Sequence, residues 1–190
     1  MTGRAIILDK DGTLIENDTM SVDPERIRLM PGAGPALSRF ARAGFRIAIA
    51  SNQPGVALGR FPESALHAVH ERLSHLLGAW NVRLDGFHYC PHHPEAVVLE
   101  YRRQCDCRKP APGLIHRATS ALGVGARHCW MIGDILDDVE AGHRAGCRAI
   151  LYDSGGETEW RRSTLRTPDF VARDLNVIAD FVLAQDGHLA

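Results

Sequence analysis

No excess of either charge marks this chain: 22 Lys and Arg stand against 23 Asp and Glu, and no basic run stands out. Nucleic acid or an anionic membrane surface therefore finds no broad electrostatic partner, and a small anion would need positive charge gathered locally. Long apolar runs are also missing, since none approaches the ~20 residues that span a bilayer. Met1 to Arg4 lead straight into an apolar segment without a signal-peptide core, so a soluble, cytoplasmic protein without membrane or nucleic-acid partners is expected. The 190 residues show no internal repeat, no low-complexity segment and no composition break. One domain over residues 1–190 is the simplest organisation, long enough to bury a core without staples. Nothing suggests a coiled coil or an obligate interface, so a monomer is expected. Five cysteines cannot all pair, and the crowding of Cys90, Cys105 and Cys107 in a reducing compartment suggests metal before disulfide.

Familiar ligand loops are absent as well. There is no G-x-x-x-x-G-K-S/T, and Gly123-Val124-Gly125-Ala126-Arg127-His128 lacks the third glycine of a dinucleotide loop. Asp9–Met20 is no calcium loop, because Gly12 comes too early and Met20 stands where an acid is required. The ten histidines are scattered, and none pairs with a nucleophilic Ser or Cys to suggest a hydrolase triad.

What is present is alternation. Short apolar runs at Ala5–Leu8, Arg46–Ala50, Phe87–Cys90, Cys129–Ile132 and Ala149–Tyr152 are separated by segments of helical spacing. That order predicts an α/β fold, a mainly parallel sheet sandwiched between helices. Helices are expected over Pro35–Ala43, from Pro62 to about Leu77, and over Pro112–Leu122, Asp138–Ala145 and Leu175–Leu183. Ser154–Arg166, with Gly155-Gly156 and many polar residues, reads as a surface loop.

In such a sheet the ligand crevice lies beyond the carboxyl ends of the strands. Asp9 and Asp11 follow the first strand; Ser51, Asn52 and Gln53 follow the second; Gly133-Asp134, with Asp137 and Asp138, follow the fourth. Asp-x-Asp-Gly can be a mere polar turn. It can also hold a hard cation and divide nucleophilic from acid–base work, with Gly12 turning peptide N–H groups toward an anion. Arg108-Lys109-Pro110 adds two cations near the start of a helix, an arrangement suited to phosphate oxygens.

Cys90-Pro91-His92 and Cys105-Asp106-Cys107 form C-x-H…C-x-C, three thiols and an imidazole, the ligand set of a closed structural zinc site. His93 rivals His92 for the fourth place, and a free-thiol cluster beside a surface histidine is the alternative. Pro94–Gln104 has little apolar content to hold it folded without metal. Cys129 and Cys147, in or beside apolar strands, read as core residues.

The motif Asp9-Lys10-Asp11-Gly12-Thr13, with Ser51, Lys109 and Gly133-Asp134 through Asp138, resembles the haloacid dehalogenase (HAD) superfamily of aspartate-nucleophile phosphatases. The resemblance implies a Rossmann-like sandwich and phosphoric monoester hydrolysis. Asp9 would attack phosphorus to give an aspartyl phosphate, and Asp11 would protonate the leaving alkoxide and then activate water. Mg²⁺ would be held by Asp9, the Asp11 carbonyl and Asp134, with Asp138 supporting the metal or Lys109. Ser51 and Lys109 would bind phosphoryl oxygens, and the family geometry lets Asp11 carry a proton near neutral pH.

Tyr89-Cys90-Pro91-His92-His93-Pro94, together with Cys105 through Gly113, is similar to the zinc-containing branch formed by heptose-bisphosphate and histidinol-phosphate phosphatases. That branch lacks a large cap domain, and no insertion here is long enough to be one. The resemblance implies hydrolysis of D-glycero-D-manno-heptose 1,7-bisphosphate at the 7-position, with Arg108, Asn52 and Gln53 contacting substrate. Histidinol phosphate or another polyol phosphate is the alternative substrate, and a non-catalytic phosphate-binding module is the alternative of another class. Departures from the branch pattern fall at Thr19, Met20, Pro54, Leu58 and Ile135. Each removes a group that could touch sugar or phosphate.

Overall fold

The computed structural model of the chain describes residues 3–16 and 22–186. Six strands, β1 (Arg4–Leu8), β2 (Phe45–Asn52), β3 (Gly86–Cys90), β4 (Cys129–Gly133), β5 (Arg148–Tyr152) and β6 (Phe170–Ala172), form one parallel sheet in the order β3-β2-β1-β4-β5-β6. Ile6 lies between Ile47 and Trp130 in register, so β1 is fully flanked. The order turns at β1 and β4, the switch point where an open sheet of this kind leaves a crevice. Among the described residues no inserted cap domain interrupts the sequence of elements.

Strand alternation explains why β1 reads as one unbroken apolar run. Ile6 and Leu8 face a core built by α1 (Ala33–Arg42), α3 (Ala65–Gly78) and α6 (Leu175–Asp186), where Leu37, Phe40, Leu73, Leu77 and Ile178 meet. Ala5 and Ile7 face the opposite core, built by α4 (Gly113–Leu122) and α5 (Leu136–Arg144) through Leu114, Ile115, Ala118 and Val139. A strand covered on both faces needs apolar side chains at every position. Cys129 and Cys147 are buried in the second core, and so are Cys90 and Cys107.

The differences from expectation have local causes. The third helix starts at Ala65, not Pro62, because Pro62, Glu63 and Ser64 form a preceding turn whose carbonyls accept from Ala65, Leu66 and His67. The fifth starts at Leu136, two residues before Asp138. Pro54–Ala57 forms a single-turn helix, α2, and β6 is a three-residue edge strand; neither is long enough to carry a period. Phe170 of β6 stacks on Phe181 of α6 with ring centroids 4.0 Å apart. No described helix is long and apolar enough to cross a membrane.

Candidate active site

Of the groups collected from strand ends, Asp9, Asp11, Asn52, Asp134 and Asp138 line one cavity at the rim, whereas Asp137 pairs with Arg166 at 2.7 Å. Past β1 the ladder continues for one bond, Asp9 N–H to the Ile132 carbonyl at 2.9 Å, which fixes Asp9 beside the end of β4. Gly12, with φ +81°, then turns the chain back over this rim. A cavity of about 190 Å³ is lined by Asp9, Asp11, Asn52, Lys109, Asp134, Ile135, Asp138 and Gly156. At its floor Lys109 Nζ lies 2.5 Å from Asp9 Oδ1 and 2.5 Å from Asp138 Oδ1, with the lysine and Asp138 fully shielded from solvent.

Three carboxylates and one ammonium in so dry a space are under electrostatic tension. Burial, with Asp138 and Asp11 nearby, pushes the Asp9 carboxyl up to about 7 against the pull of Lys109. Burial and the charges of Asp138 and Asp9 likewise push Asp134 up to about 7. Burial would lower Lys109, yet Asp138 and Asp9 more than offset it and hold the ammonium charged. Ligand oxygens of Asp9, Asp134 and Asp138 lie within 4.8 Å of one another. A hard divalent cation fits this donor set, because it would relieve the repulsion that burial leaves unscreened. Asp134 is also given room: a Cβ on Gly12 would fall 2.3 Å from its Oδ2, and one on Gly156 2.0 Å. Thr13 Oγ1, buried, donates to Asp134 Oδ1 at 3.3 Å.

Several of the expected site residues are held by one another. The Asn52 side chain is engaged with the Lys109 backbone, donating to its carbonyl at 3.1 Å and accepting from its N–H at 3.0 Å, so it fixes the lysine's place. Gln53 Nε2 donates to Asp11 Oδ2 at 3.0 Å and to Ser51 Oγ at 2.8 Å. Ser51, Gln53 and Arg108 are not among the residues lining the cavity; Arg108 Nη1 donates to the His92 carbonyl at 3.4 Å. At the start of α4 one first-turn donor, the Gly113 N–H, is already engaged by the Asp106 carbonyl at 2.8 Å. Of the departures, Pro54 opens α2, Leu58 ends it, and Ile135 lines the cavity. Thr19 and Met20 lie outside the described residues.

Three contributors escape a reading by strand ends. Lys10, 2 % exposed, places Nζ 2.6 Å from Asp11 Oδ1, and the polar segment around it gives no sign of that burial. Gly156 and Glu157 come from the loop after β5. Glu157 Oε2 accepts from the Leu136 N–H at 2.7 Å, and Oε1 accepts from Glu159 N–H at 2.7 Å and Trp160 N–H at 3.3 Å. A Gly-Gly pair in a polar stretch gives no hint of that anchorage.

A second cluster stands just below the first along the chain. Cys90 Sγ lies 3.1 Å from Cys107 Sγ and 3.5 Å from Cys105 Sγ; Cys107 and Cys105 are 3.3 Å apart, and His92 Nδ1 is 3.3 Å from Cys107 Sγ. Four such ligands around one ion at bonds of ~2.3 Å would stand about 3.8 Å apart, so a modest outward relaxation admits a tetrahedral metal. His93 Nδ1 instead accepts from the Glu95 N–H at 3.1 Å. The intervening loop buries only Ala96 of its apolar residues, leaving Val97 and Leu99 exposed, so packing alone gives it little support.

A family profile described as HAD-hydrolase-like matches residues 106–178. The D-glycero-beta-D-manno-heptose-1,7-bisphosphate 7-phosphatase of Escherichia coli K12 is 36 % identical over 137 residues, 72 % of each chain. The chain belongs to the haloacid dehalogenase superfamily. The phosphatase of the same name from Rhodopseudomonas palustris is 38 % identical over 149 residues, covering 78 % of this chain and 83 % of that one. Among solved structures, the D,D-heptose 1,7-bisphosphate phosphatase of B. bronchiseptica, complexed with magnesium and phosphate, superposes with a TM-score of 0.76 at 29 % identity over 96 % of this chain and 99 % of that one. This HAD-superfamily protein is a phosphatase, a phosphoric monoester hydrolase, with the Rossmann-like fold and without a large cap.

Proposed function

We propose that this phosphatase hydrolyses a small phosphorylated sugar through an aspartyl-phosphate intermediate formed on Asp9. The observation that carries the reading is the buried Asp9–Lys109–Asp138 chain of ion pairs beneath an open cavity. Lys109 orients the Asp9 carboxylate and offers positive charge to the transferring phosphoryl group, while Asp138 keeps the lysine charged and in place. Asp9 Oδ forms a bond to phosphorus as the bond to the leaving oxygen breaks; Asp11 gives that oxygen its proton and later takes one from water. Lys10 and Gln53 grip the Asp11 carboxylate from two sides, which fixes its place beside Asp9. Asp9, the Asp11 carbonyl and Asp134 would hold Mg²⁺, which supplies charge for the dispersed negative charge of phosphoryl transfer. Ser51 is assigned the second contact to phosphoryl oxygens, and Asn52, Gln53 and Arg108 are assigned contacts to the substrate. Zinc in the Cys90, His92, Cys105, Cys107 cluster would fold the loop, with no position left open for chemistry.

The names of the relatives support heptose 1,7-bisphosphate, cleaved at the 7-position, as substrate. A second reading, histidinol phosphate or another polyol phosphate, is favoured by Ile135, which brings an apolar side chain to the cavity wall. The test is Mg²⁺-dependent phosphate release from both anomers of the heptose bisphosphate, histidinol phosphate and several hexose and polyol phosphates. A marked preference for one heptose anomer upholds the first substrate. Preference for another compound keeps the mechanism and replaces the substrate, and no turnover on any of them from folded, metal-loaded protein points to a substrate outside the panel or to a binding module.

A further inference from the structure

We infer that Glu157 is a positioning residue for the acidic cluster, pinning the loop after β5 to the first turn of α5 so that Gly156 backs the Asp134 carboxylate. The inference rests on the reading of Asp134 as a metal ligand. Its grounds are independent of that reading. The loop from Ser154 to Ser163 contains no helix or strand, so it needs another restraint to keep one conformation beside the cavity. Glu157 supplies it in both directions. One carboxylate oxygen takes the Leu136 N–H, a free donor of the α5 N-terminus, and the other takes two N–H groups of its own loop. These backbone donors hold the carboxyl below the usual carboxylate range despite partial burial, so the anchor stays charged at neutral pH.

The consequence falls on Asp134. Its Oδ2 is pressed between two glycines, Gly12 from the β1 turn and Gly156 from this loop, each too close to tolerate a Cβ. Gly156 adjoins Glu157, and Leu136 is two residues beyond Asp134. One carboxylate therefore ties the Gly156 side of the Asp134 pocket to the first turn of α5. Outer partners of this kind tune how well a ligand set holds its ion without touching the ion.

The experiment is a Mg²⁺ titration by calorimetry on the zinc-loaded full chain, with phosphate-release kinetics and amide hydrogen exchange alongside, for the wild type, Glu157→Ala, Glu157→Gln and Asp134→Asn. Glu157→Ala is expected to weaken Mg²⁺ binding about tenfold or more, with faster exchange at the 158–160 amides and kcat at saturating Mg²⁺ falling less than the affinity. Glu157→Gln, in which one anchoring oxygen becomes an N–H donor, should move the same way by less, and it serves if the alanine variant folds poorly. Wild-type Mg²⁺ affinity in both Glu157 variants, with Asp134→Asn not binding, would overturn the positioning role alone. Undiminished Mg²⁺ binding by Asp134→Asn would instead bring down the metal reading on which the role rests.

Discussion

The acidic cluster of Asp9, Asp134 and Asp138 and the sulfur cluster of Cys90, His92, Cys105 and Cys107 are joined by the two-residue step from Cys107 to Lys109, yet they are built on opposite terms. The first gathers hard, like-charged oxygens from beyond the ends of two adjacent central strands, β1 and β4, and leaves a cavity above them. The second gathers soft donors from two short stretches, fills every place with protein, and sits among a loop that has almost no core of its own. A set that is costly without a cation can exchange its ion and still stand, because the sheet holds it. A set that replaces a core cannot.

The sharpest test of that contrast is to remove a ligand from each. Asp9→Asn should lower phosphate release on the order of 10³-fold or more, while zinc content and melting temperature hold. Cys107→Ser should do the reverse: lose the zinc by metal analysis and drop the melting temperature by about 10 °C, as expected for a loss of a few kcal/mol in a chain of this size. Activity would fall with it because Lys109 follows so closely. If Cys107→Ser kept its melting temperature, the sulfur cluster would not be replacing a core.

A smaller effect sharpens the account of tension at the acidic cluster. Asp9 and Asp134 titrate near 7 when folded against 3.8 in the unfolded chain. A raised carboxyl makes the folded state keep protons that the unfolded state has lost. Without metal, the stability of this part is therefore full below about pH 4 and declines as pH rises through 7. Mg²⁺ binds the ionised form, so its gain in melting temperature should grow from about pH 5.5 to about pH 8. A gain independent of pH would show that the carboxylates are already ionised when empty. The smallest effect tests the join: Asn52→Ala removes two hydrogen bonds from the Lys109 backbone and should lower kcat about tenfold, near 1 kcal/mol or a little more, without loss of zinc.

Legibility followed the same division. Strands β1, β2, β4 and β5 announced themselves because a strand covered on both faces is apolar nearly throughout, and the rim residues followed because they lie directly beyond those strands. The C-x-H…C-x-C spacing was readable since both ligand pairs are local. Lys10 was not, because its partner is a neighbour in a turn whose tightness only the fold reveals. Glu157 was not, because its partner Leu136 lies 21 residues back and the polar segment around it has no period to read. The bonds of Asn52 to the Lys109 backbone 57 residues away were not legible either, because no local pattern encodes such a contact. Short β6 fell below the length at which alternation means anything.

The central place of β1 has a consequence for how the chain is made. Its contacts at the rim span 100 residues, from Asp9 to Lys109, and 121 residues, from Thr13 to Asp134. At synthesis rates of 5–20 residues per second, Thr13 leaves the ribosome roughly 6–24 s before Asp134. β2 can pair with one edge of β1 in that interval, but the other edge waits for β4. The nascent protein thus spends seconds with its first, largely apolar strand half covered, and no amount of Mg²⁺ can assemble the acidic cluster until translation has passed the fourth strand.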